Sequence, residues 1–378
     1  MPLAWLFGAV SSLRAWLYAK QYLAVSLHPL KIVSVGNLTV GGTGKTPHTE
    51  YLIQLFAPEM QVATLSRGYG RQTKGFLQAD SNTTPEQIGD EPYQIFGKWG
   101  KQIKVAACEN RNEGVQKLLK LYPNLQLILL DDAYQHQAIH RNCNILLTDY
   151  YQLFCQDHLL PAGRLRERRK AAKRADLLIV TKCPQNLTST EATQLNTRLK
   201  PYLPTQAPIF FSSFQYGTPL FFGGKATDQC PKNIVLLTGI AQTHSLESYL
   251  NANQYQVLHH FKLPDHVHYT KALVEKIATK TAKYPHTALL TTEKDMVKLK
   301  KFANLFETCG LFCLPIEVVF LFEQKNIFEQ FVQTKLHQNW IGAMGFTTRQ
   351  TESIAANKAQ MWKNYFSIKW VFQAGYLL

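Results

Sequence analysis

The sequence predicts an α/β fold: a mainly parallel sheet flanked by helices, followed by a second, smaller α/β domain. Short apolar runs alternate with longer helical or polar stretches, which is typical of βαβ units around a buried parallel sheet. The first group of runs lies at 32–35, 62–65, 103–107, 125–130, 144–147 and 177–180. The second group lies at 234–237, 255–260, 288–290 and 316–320. The 378 residues also allow two domains at about 150 residues each.

A loose stretch rich in proline and glycine, around residues 205–230, separates the two groups of runs and predicts a domain junction. We therefore expect five segments along the chain. They are a helical segment at 1–30 on a membrane surface, a core at 31–210, a linker at 211–230, a smaller α/β domain at 231–345 and a C-terminal tail at 346–378.

The charge of the chain favours an anionic partner. It carries 41 Lys and Arg against 26 Asp and Glu, a formal charge of +15. Nucleic acid, an acidic lipid surface and a phosphorylated substrate all fit this surplus. An apolar fraction of 46% with only 18% charged residues excludes a disordered chain. The seven scattered cysteines form no zinc pattern, which indicates reduced thiols.

The N-terminal segment predicts an amphipathic helix. Apolar residues recur there at helical spacing, and Arg14 interrupts them before they reach the roughly 18 residues of a membrane span. Trp5, Trp16, Tyr18 and Tyr22 supply rings of the kind that settle at a membrane interface. Two alternatives follow: a helix packed on the domain surface, or a helix lying in the interface of a bilayer.

The strongest local motif is a glycine-rich loop between an apolar strand and a helical segment. Its residues are Gly41, Gly42, Thr43, Gly44, Lys45 and Thr46. Glycines let the backbone N–H groups point at phosphate oxygens, while Lys45 reaches the β- and γ-phosphates and Thr46 offers a hydroxyl to Mg²⁺. The standard GxxxxGK[ST] pattern has glycine where this chain has Thr39. The match to its second half predicts a P-loop NTPase-like core that binds a nucleotide.

A carboxylate near Mg²⁺ should accompany such a loop at the end of a buried strand. Asp131 and Asp132 end the apolar run at 125–130 and can hold the metal directly or through water. A guanine-binding protein also needs an [NT]KxD element. The string 181–184 begins like one, but Pro184 stands where the aspartate is required, which favours ATP.

Seven strings in the same order resemble the tetraacyldisaccharide 4'-kinase family over roughly residues 5–300. They lie at 36–47, 65–71, 89–92, 131–136, 159–167, 265–266 and 291–295. The displaced glycines of the phosphate loop are part of the resemblance. One departure is Ala133, where the family's string has glycine; only a backbone with positive φ would require glycine there.

The resemblance implies transfer of the ATP γ-phosphoryl group to the 4'-hydroxyl of a tetraacylated glucosamine disaccharide 1-phosphate. The product is lipid IVA, an intermediate of lipid A (lipopolysaccharide) biosynthesis. It also implies a P-loop core and a smaller α/β domain with the active site between them. The enzyme would work at the cytoplasmic face of the inner membrane, attached without a full span, with no protein partner predicted.

The resemblance also implies roles for residues outside the phosphate loop. Asp90 would be the catalytic base, working with His266, and Lys45 would act on the transferred phosphate. Glu167 would join the metal site with Thr46 and the Asp131/Asp132 pair. Substrate contacts are expected from two further strings, at Arg67, Tyr69, Arg71, Gln135 and His136. Arginine suits the acceptor's 1-phosphate because its forked donors match that anion.

A basic run at 164–174 holds seven Lys and Arg residues. It predicts contact with anionic lipid headgroups or, alternatively, with nucleic-acid phosphates. No recognised nucleic-acid motif supports the second interpretation, so nucleic acid is not expected as a partner. A P-loop ATPase that binds nucleic acid remains the alternative function. A membrane-binding module with a decayed nucleotide site is a third hypothesis, which the intact phosphate-loop residues disfavour.

Overall fold

Short buried segments form the strands, and longer segments between them form helices. The computed structural model describes residues 2–224, 229–240, 243–265 and 267–337. Within them the strands are β1 Lys31–Asn37, β2 Val62–Ser66, β3 Leu77–Gln78, β4 Lys104–Ala107, β5 Leu127–Asp131, β6 Cys143–Asp149, β7 Leu177–Thr181, β8 Ile209–Tyr216, β9 Leu220–Gly224, β10 Asn233–Thr238, β11 Gln256–Lys262, β12 Ala288–Thr292, β13 Gly310–Leu314 and β14 Ile316–Phe320. The helices are α1 Pro2–Ala19, α2 Lys45–Phe56, α3 Pro85–Ile88, α4 Asp90–Trp99, α5 Arg111–Leu121, α6 Ser189–Leu199, α7 His244–Ala252, α8 Lys271–Ala282, α9 Glu293–Leu299 and α10 Lys325–His337.

The larger sheet has the order β14-β8-β7-β6-β1-β5-β2-β4-β3 in the described part of the chain. All its pairs are parallel except those of the edge strands β14 and β3. The carboxyl ends of β1, β2, β4, β5, β6 and β7 therefore meet along one edge of the sheet. Ligands of open α/β sheets bind at this edge. The phosphate loop follows β1 there, and Asp131 and Asp132 lie at the end of β5.

Both faces of the larger sheet are buried, because alternate side chains of a strand point to opposite faces. Val33 and Val35 of β1 belong to the core under α2, α4 and α10. Ile32 of the same strand belongs to a second core, which α5 covers. Helix α6 covers a third cluster at the β7–β8 end of the sheet. Burial on both faces explains why the strands are continuous apolar runs rather than alternating ones.

The smaller sheet has the order β11-β10-β12-β13-β9, with only β9 antiparallel to its neighbour. Helices α8 and α9 cover one of its faces with Val274, Ile277 and Leu299. Helix α7 covers the other face with Leu246 and Leu250. The expected α/β architecture with a second, smaller sheet is therefore confirmed.

The two sheets do not follow the predicted segment boundaries, because the chain returns from the smaller sheet to the larger one. Strand β14 pairs with β8 in the larger sheet, and α10 packs on the same sheet through Phe328 and Val332, although both lie within the predicted smaller domain at 231–345. In the predicted linker, β9 joins the smaller sheet. Residues 1–336 form one compact unit, and the tail predicted at 346–378 lies outside the described residues.

Helix α1 is fixed at one point and exposed over much of its length. A Cβ added at Gly8 would meet Leu159 at 2.6 Å and the Arg168 guanidinium at 3.4 Å, so this side of the helix packs closely on the 159–168 segment. Its other faces expose large apolar side chains, including Trp5 at 76% and Val10 at 62%. None of the described helices has the length and apolarity needed to cross a bilayer.

Candidate active site

The phosphate loop curls between β1 and α2. Gly44 caps α2 in the left-handed region with φ 82°, where a side chain would be strained. Two contacts hold the loop from below: Asn37 Nδ2 donates to Thr43 Oγ1 at 2.8 Å, and Thr181 Oγ1 donates to the Thr43 carbonyl at 2.9 Å. The exposed backbone before the helix and the free N–H groups of its first turn form an anion site.

Lys45 faces the carboxylates predicted to accompany it. Its Nζ lies 3.8 Å from Asp132 Oδ2, and Arg166 binds the two oxygens of the same carboxylate at 3.0 and 3.1 Å. Burial opposes ionisation of Asp132, but Lys45 and Arg166 outweigh it and lower the pKa of this carboxyl. Asp132 has a φ of 47° and occupies the turn directly after β5.

The environment of Asp131 differs from that of Asp132. Its side chain is buried, and burial raises its pKa to about 7, with Lys45 acting in the opposite direction. Its Oδ1 accepts a long 3.4 Å hydrogen bond from Thr49. The charges of Asp132 and Glu91 also raise this pKa, so Glu91 lies near enough to act electrostatically on Asp131. A buried carboxylate with few donors fits a position beside a cation.

Glu167, the other glutamate expected at the metal, has different partners. Its buried carboxylate pairs with Arg174 at 2.5 Å and accepts from Gln137 at 3.5 Å. Arg174 also lies over the Tyr134 ring, 4.9 Å from the centroid. The role of Glu167 as a metal ligand therefore competes with its ion pair to Arg174, whereas Glu91 is a glutamate whose charge acts on Asp131.

Arg111 is a buried cation of the site that the sequence patterns did not single out. It follows β4 as the first residue of α5, which Asn110 caps through its side chain. Its Nη1 donates to the carbonyls of Cys108 and Glu109, and its buried Nε has no hydrogen-bond partner among the described residues. Burial lowers its pKa to about 10, while the nearby Asp132 opposes this shift. Its position just after the carboxyl end of β4, a parallel strand of the larger sheet, was the available signal.

Asp90 begins α4, where two backbone turns touch. Gly89 has φ 100°, and a Cβ there would meet Gly68 at 3.1 Å, which explains why both strings contain glycine. Asp90 Oδ2 lies 2.6 Å from Nζ of Lys298. The surrounding cavity spans the turn after β2, the start of α4 and the smaller-sheet region, and its lining includes Tyr69, Gln72, Asp90, Tyr269 and Lys298. His266, the predicted partner of Asp90, lies outside the described residues.

The turn after β2 presents one exposed arginine and one buried arginine. Arg67 and Tyr69 are exposed, and Tyr69 lines the cavity beside Asp90. The Arg71 side chain is only 2% exposed and pairs with Glu109 at 2.6 Å. It also donates to the Gly75 carbonyl at 2.5 Å. These contacts show that Arg71 supports the loop, and its expected contact with the acceptor stays a prediction.

Gln135 and His136 follow the carboxylates on the other side of the phosphate loop. Gln135 Nε2 donates to the Asn37 carbonyl at 2.8 Å and so ties this turn to β1. His136 Nε2 is buried and has no hydrogen-bond partner in the part of the chain that the structure describes. Burial and the neighbouring arginines, Arg111 first among them, lower the His136 pKa to about 4, so its ring is neutral at pH 7.

Much of the basic run is engaged inside the protein. Arg164 pairs with Asp157 at 2.8 Å, and Arg169 donates to the Asp157 carbonyl. Arg166 and Arg174 bind Asp132 and Glu167, as described above. The exposed cations of the run are Arg168, Lys170 and Lys173. The available positive surface is therefore smaller than the sequence predicted, and Arg168 places it beside α1.

These features together define a P-loop nucleotide-binding protein. They are a glycine loop between a strand and a helix, a lysine that faces two aspartates at the end of the neighbouring strand, and a parallel sheet. The model of the Tetraacyldisaccharide-1-P 4'-kinase family matches residues 1–337. The chain therefore belongs to the tetraacyldisaccharide 4'-kinase family, and the resemblance seen in its motifs is confirmed.

Curated relatives named Tetraacyldisaccharide 4'-kinase match over most of the chain. The one from Cytophaga hutchinsonii is 38% identical over 340 residues, covering 89% of this chain and 95% of that protein. The one from Bacteroides fragilis is 40% identical over 354 residues, covering 89% and 93%. The fold is similar to a crystal structure of LpxK from Aquifex aeolicus in complex with ATP. Their TM-score is 0.68 at 28% identity, with 89% of this chain and 98% of that one covered.

Proposed function

We propose that this protein transfers the γ-phosphoryl group of ATP to the 4'-hydroxyl of a tetraacylated glucosamine disaccharide 1-phosphate. The product would be lipid IVA, in lipid A biosynthesis. Membership of the kinase family supports the reaction. The observation that carries the proposal is the placement of the phosphate loop, the Asp131/Asp132 pair and the Asp90 cavity at one edge of the larger sheet. A donor phosphate and an acceptor hydroxyl could meet there.

ATP would place its phosphates on the N–H groups of residues 41–46, with Lys45 on the β- and γ-phosphates. The residues present fit Mg²⁺, because Asp131 is a buried carboxylate with few donors and Thr46 opens the adjacent helix. Thr46, Asp131 and Asp132 would hold the ion, whose charge would neutralise the phosphate oxygens. No cluster of three or more metal-binding side chains exists in the described ranges, which suits Mg²⁺ bound largely by phosphates and water.

Asp90 would accept the proton of the acceptor hydroxyl. As this O–H bond breaks, the hydroxyl oxygen bonds to the γ-phosphorus and ADP leaves with the bridging oxygen. Positioning dominates such a loose transition state, so a strong base is not required. For His266 we keep the role implied by the family resemblance. Its replacement by alanine should lower kcat with less effect on the KM for ATP.

The acceptor would contact the exposed Arg67 and Tyr69 on one side and His136 on the other. Besides burial, Arg111 and Arg67 both lower the pKa of His136 through their charges, which supports an acceptor site with guanidinium groups near this turn. A phosphorylated sugar lipid offers anionic oxygens to such groups. The buried Nε2 of the neutral His136 has no hydrogen-bond partner among the described residues, which supports His136 as a candidate contact for a substrate hydroxyl.

The protein would work at the cytoplasmic face of the inner membrane, attached through α1. The exposed rings and aliphatic side chains of α1 would enter the interface, while Arg168, Lys170 and Lys173 would face anionic headgroups. Each cation near such a surface contributes about 1 kcal/mol. This arrangement would bring the acylated acceptor to the site without removing its chains from the bilayer.

The test is transfer of label from γ-labelled ATP to the tetraacyldisaccharide 1-phosphate in detergent micelles containing Mg²⁺. We expect labelled lipid from the intact chain and a labelling rate about 10²–10³-fold lower from Lys45→Met. A product already phosphorylated at the 4' position should not accept label. Absence of labelled lipid, together with ATP hydrolysis that rises when DNA or RNA is added, would instead support the nucleic-acid-dependent ATPase.

A further inference from the structure

Lys298 belongs to α9, in the smaller-sheet region, yet its side chain reaches the start of α4. Its Nζ lies 2.6 Å from Asp90 Oδ2, and the two side chains are only 12% and 18% exposed. The same ammonium donates to the Val267 carbonyl at 3.1 Å. One cation therefore joins the carboxylate of the proposed base to a loop that follows β11.

The helices that carry this pair are joined at both ends. Asp90 at the start of α4 binds Lys298 in the last turn of α9, and Lys98 in the last turn of α4 binds Glu293 at the start of α9, at 2.7 Å. The two helices therefore run antiparallel. Each places acid at its N-terminus and base at its C-terminus, which their dipoles favour. The Lys98–Glu293 pair fixes the register between α4 and α9, and this register defines the position of Lys298 relative to Asp90.

The Asp90–Lys298 pair lines a cavity instead of being packed inside a core. An ion pair with only a structural role gains little from such a place, since partial hydration screens it. A base, by contrast, must be oriented to within a fraction of an ångström.

We propose that Lys298 is a positioning residue for phosphoryl transfer, which orients Asp90 and ties it to the loop at Val267. The inference rests on the proposed function, in which Asp90 is the base. Lys298 acts through Asp90 and makes no contribution of its own to binding ATP. Its loss should therefore change turnover much more than the KM for ATP.

The experiment is a double-mutant cycle on the full chain, with the labelled-lipid assay and thermal melting of each variant. We expect Lys298→Met to lower kcat at least about tenfold, as general-base assistance contributes roughly 10²–10⁴-fold, with the KM for ATP within about threefold. In the Asp90→Asn background the same substitution should change kcat less than about twofold, because its target is already lost. Lys298→Arg should recover part of the turnover.

The matched control is Lys335→Met. It removes a partly buried lysine of α10 whose Nζ lies 2.9 Å from Asp176 Oδ1, and turnover should stay at the wild-type level. If the Met variant does not fold, Lys298→Gln keeps a donor towards Asp90 and serves in the same cycle. The inference is overturned if Asp90→Asn impairs transfer while Lys298→Met does not, or if the two effects multiply. Wild-type turnover in Asp90→Asn, or no lipid labelling by the intact chain, would overturn the proposed function as well.

Discussion

Lys98 Nζ lies 2.7 Å from Glu293 Oε1, which joins α4 to α9. The same ammonium lies 2.5 Å from Glu50 Oε2 on α2, the helix that follows the phosphate loop. Gln94 completes the cluster by donating to Glu50 Oε1 at 2.9 Å. One lysine therefore links the phosphate-loop helix, the Asp90 helix and the smaller-sheet region.

Removing this lysine should destabilise the fold. Burial raises the Glu50 pKa against the effect of Lys98, and Lys98→Met would leave two largely buried carboxylates without their cation. We expect the free energy of unfolding to fall by about 3 kcal/mol, as for other broken buried ion pairs, measured by urea denaturation at pH 7. Lys117→Met breaks the exposed pair with Glu113 and should leave the midpoint unchanged. An unchanged midpoint for Lys98→Met would contradict the assigned role.

The stability of the protein should depend on pH through His48, which lies under the phosphate loop. Nδ1 of its ring bonds the Gly44 carbonyl at 2.7 Å and Nε2 bonds Ser212 Oγ at 2.9 Å. Burial lowers its pKa to about 4, with the Gly44 hydrogen bond opposing the shift. The unfolded ring titrates near its ordinary value of about 6.5. This contribution is therefore full above about pH 6.5 and is lost as the pH falls towards 4.

His48→Gln should make that pH dependence shallower. Between pH 6.5 and 4 the wild-type protein should lose about 3 kcal/mol more than the variant, in line with a shift of this size. Nucleotide-free protein melted at intervals of pH provides the comparison. Other buried groups titrate in both proteins, so only the difference between them is assigned to His48. Parallel curves would show that the ring is protonated in the folded state.

Substitutions of Lys45 and Asp131 should have different kinetic effects, because Lys45 would bind the transferred phosphate and Asp131 would bind Mg²⁺. Lys45→Met removes a charge that stabilises the transferred phosphate, and kcat should fall about 10²–10³-fold. Asp131→Asn should instead raise the Mg²⁺ concentration needed for half-maximal rate. Both constants come from the labelled-lipid assay with ATP and Mg²⁺ varied independently. An equal Mg²⁺ requirement in wild type and Asp131→Asn would remove Asp131 from the metal site.

The two arginines after β2 should give opposite results. Arg67→Met should raise the KM for the acceptor at unchanged stability, because the side chain is exposed. Arg71→Met should lower the free energy of unfolding by about 2 kcal/mol, since it removes the guanidinium group that donates to both Glu109 and the Gly75 carbonyl. Steady-state kinetics and urea denaturation on the same preparations distinguish the two. A raised acceptor KM for Arg71→Met, with unchanged stability, would show that Arg71 contacts the acceptor.

Membrane attachment should depend on the apolar surface of α1. Deleting residues 1–22 should move the protein from the membrane fraction to the soluble one, and Trp5→Glu with Val10→Glu should weaken binding to anionic phosphatidylglycerol vesicles. Both side chains are exposed, so neither change disturbs the core. Ile327→Glu places the same charge on an exposed apolar position of α10 and should bind vesicles normally. Equal binding by all variants would place the anchor elsewhere.

Local sequence patterns predicted individual strands and the phosphate loop, but they could not predict which distant segments pair in the fold. Strands β1, β2, β4, β5, β6 and β7 and the phosphate loop follow from runs and motifs a few residues long, whereas β3 and β8 had no predicted run. No local pattern could place β14 against β8, because that pairing joins strands separated by the whole smaller sheet. The basic run was interpreted as a surface because its acceptors, Asp132 and Asp157 among them, become neighbours only after folding. Arg111 and Lys298 belong to no general motif and were recognised by their buried contacts.

The return of β14 to the larger sheet also has a consequence for the order of folding. The smaller sheet is an insertion whose two ends lie side by side, since Gly217 N–H donates to the Pro315 carbonyl at 3.0 Å. The edge strand β14 and α10 can dock only after the inserted residues 217–315 have been synthesised. Closing a loop of that length is entropically costly unless the insertion is already compact. The smaller sheet should therefore become protected from hydrogen exchange before the β8–β14 edge does.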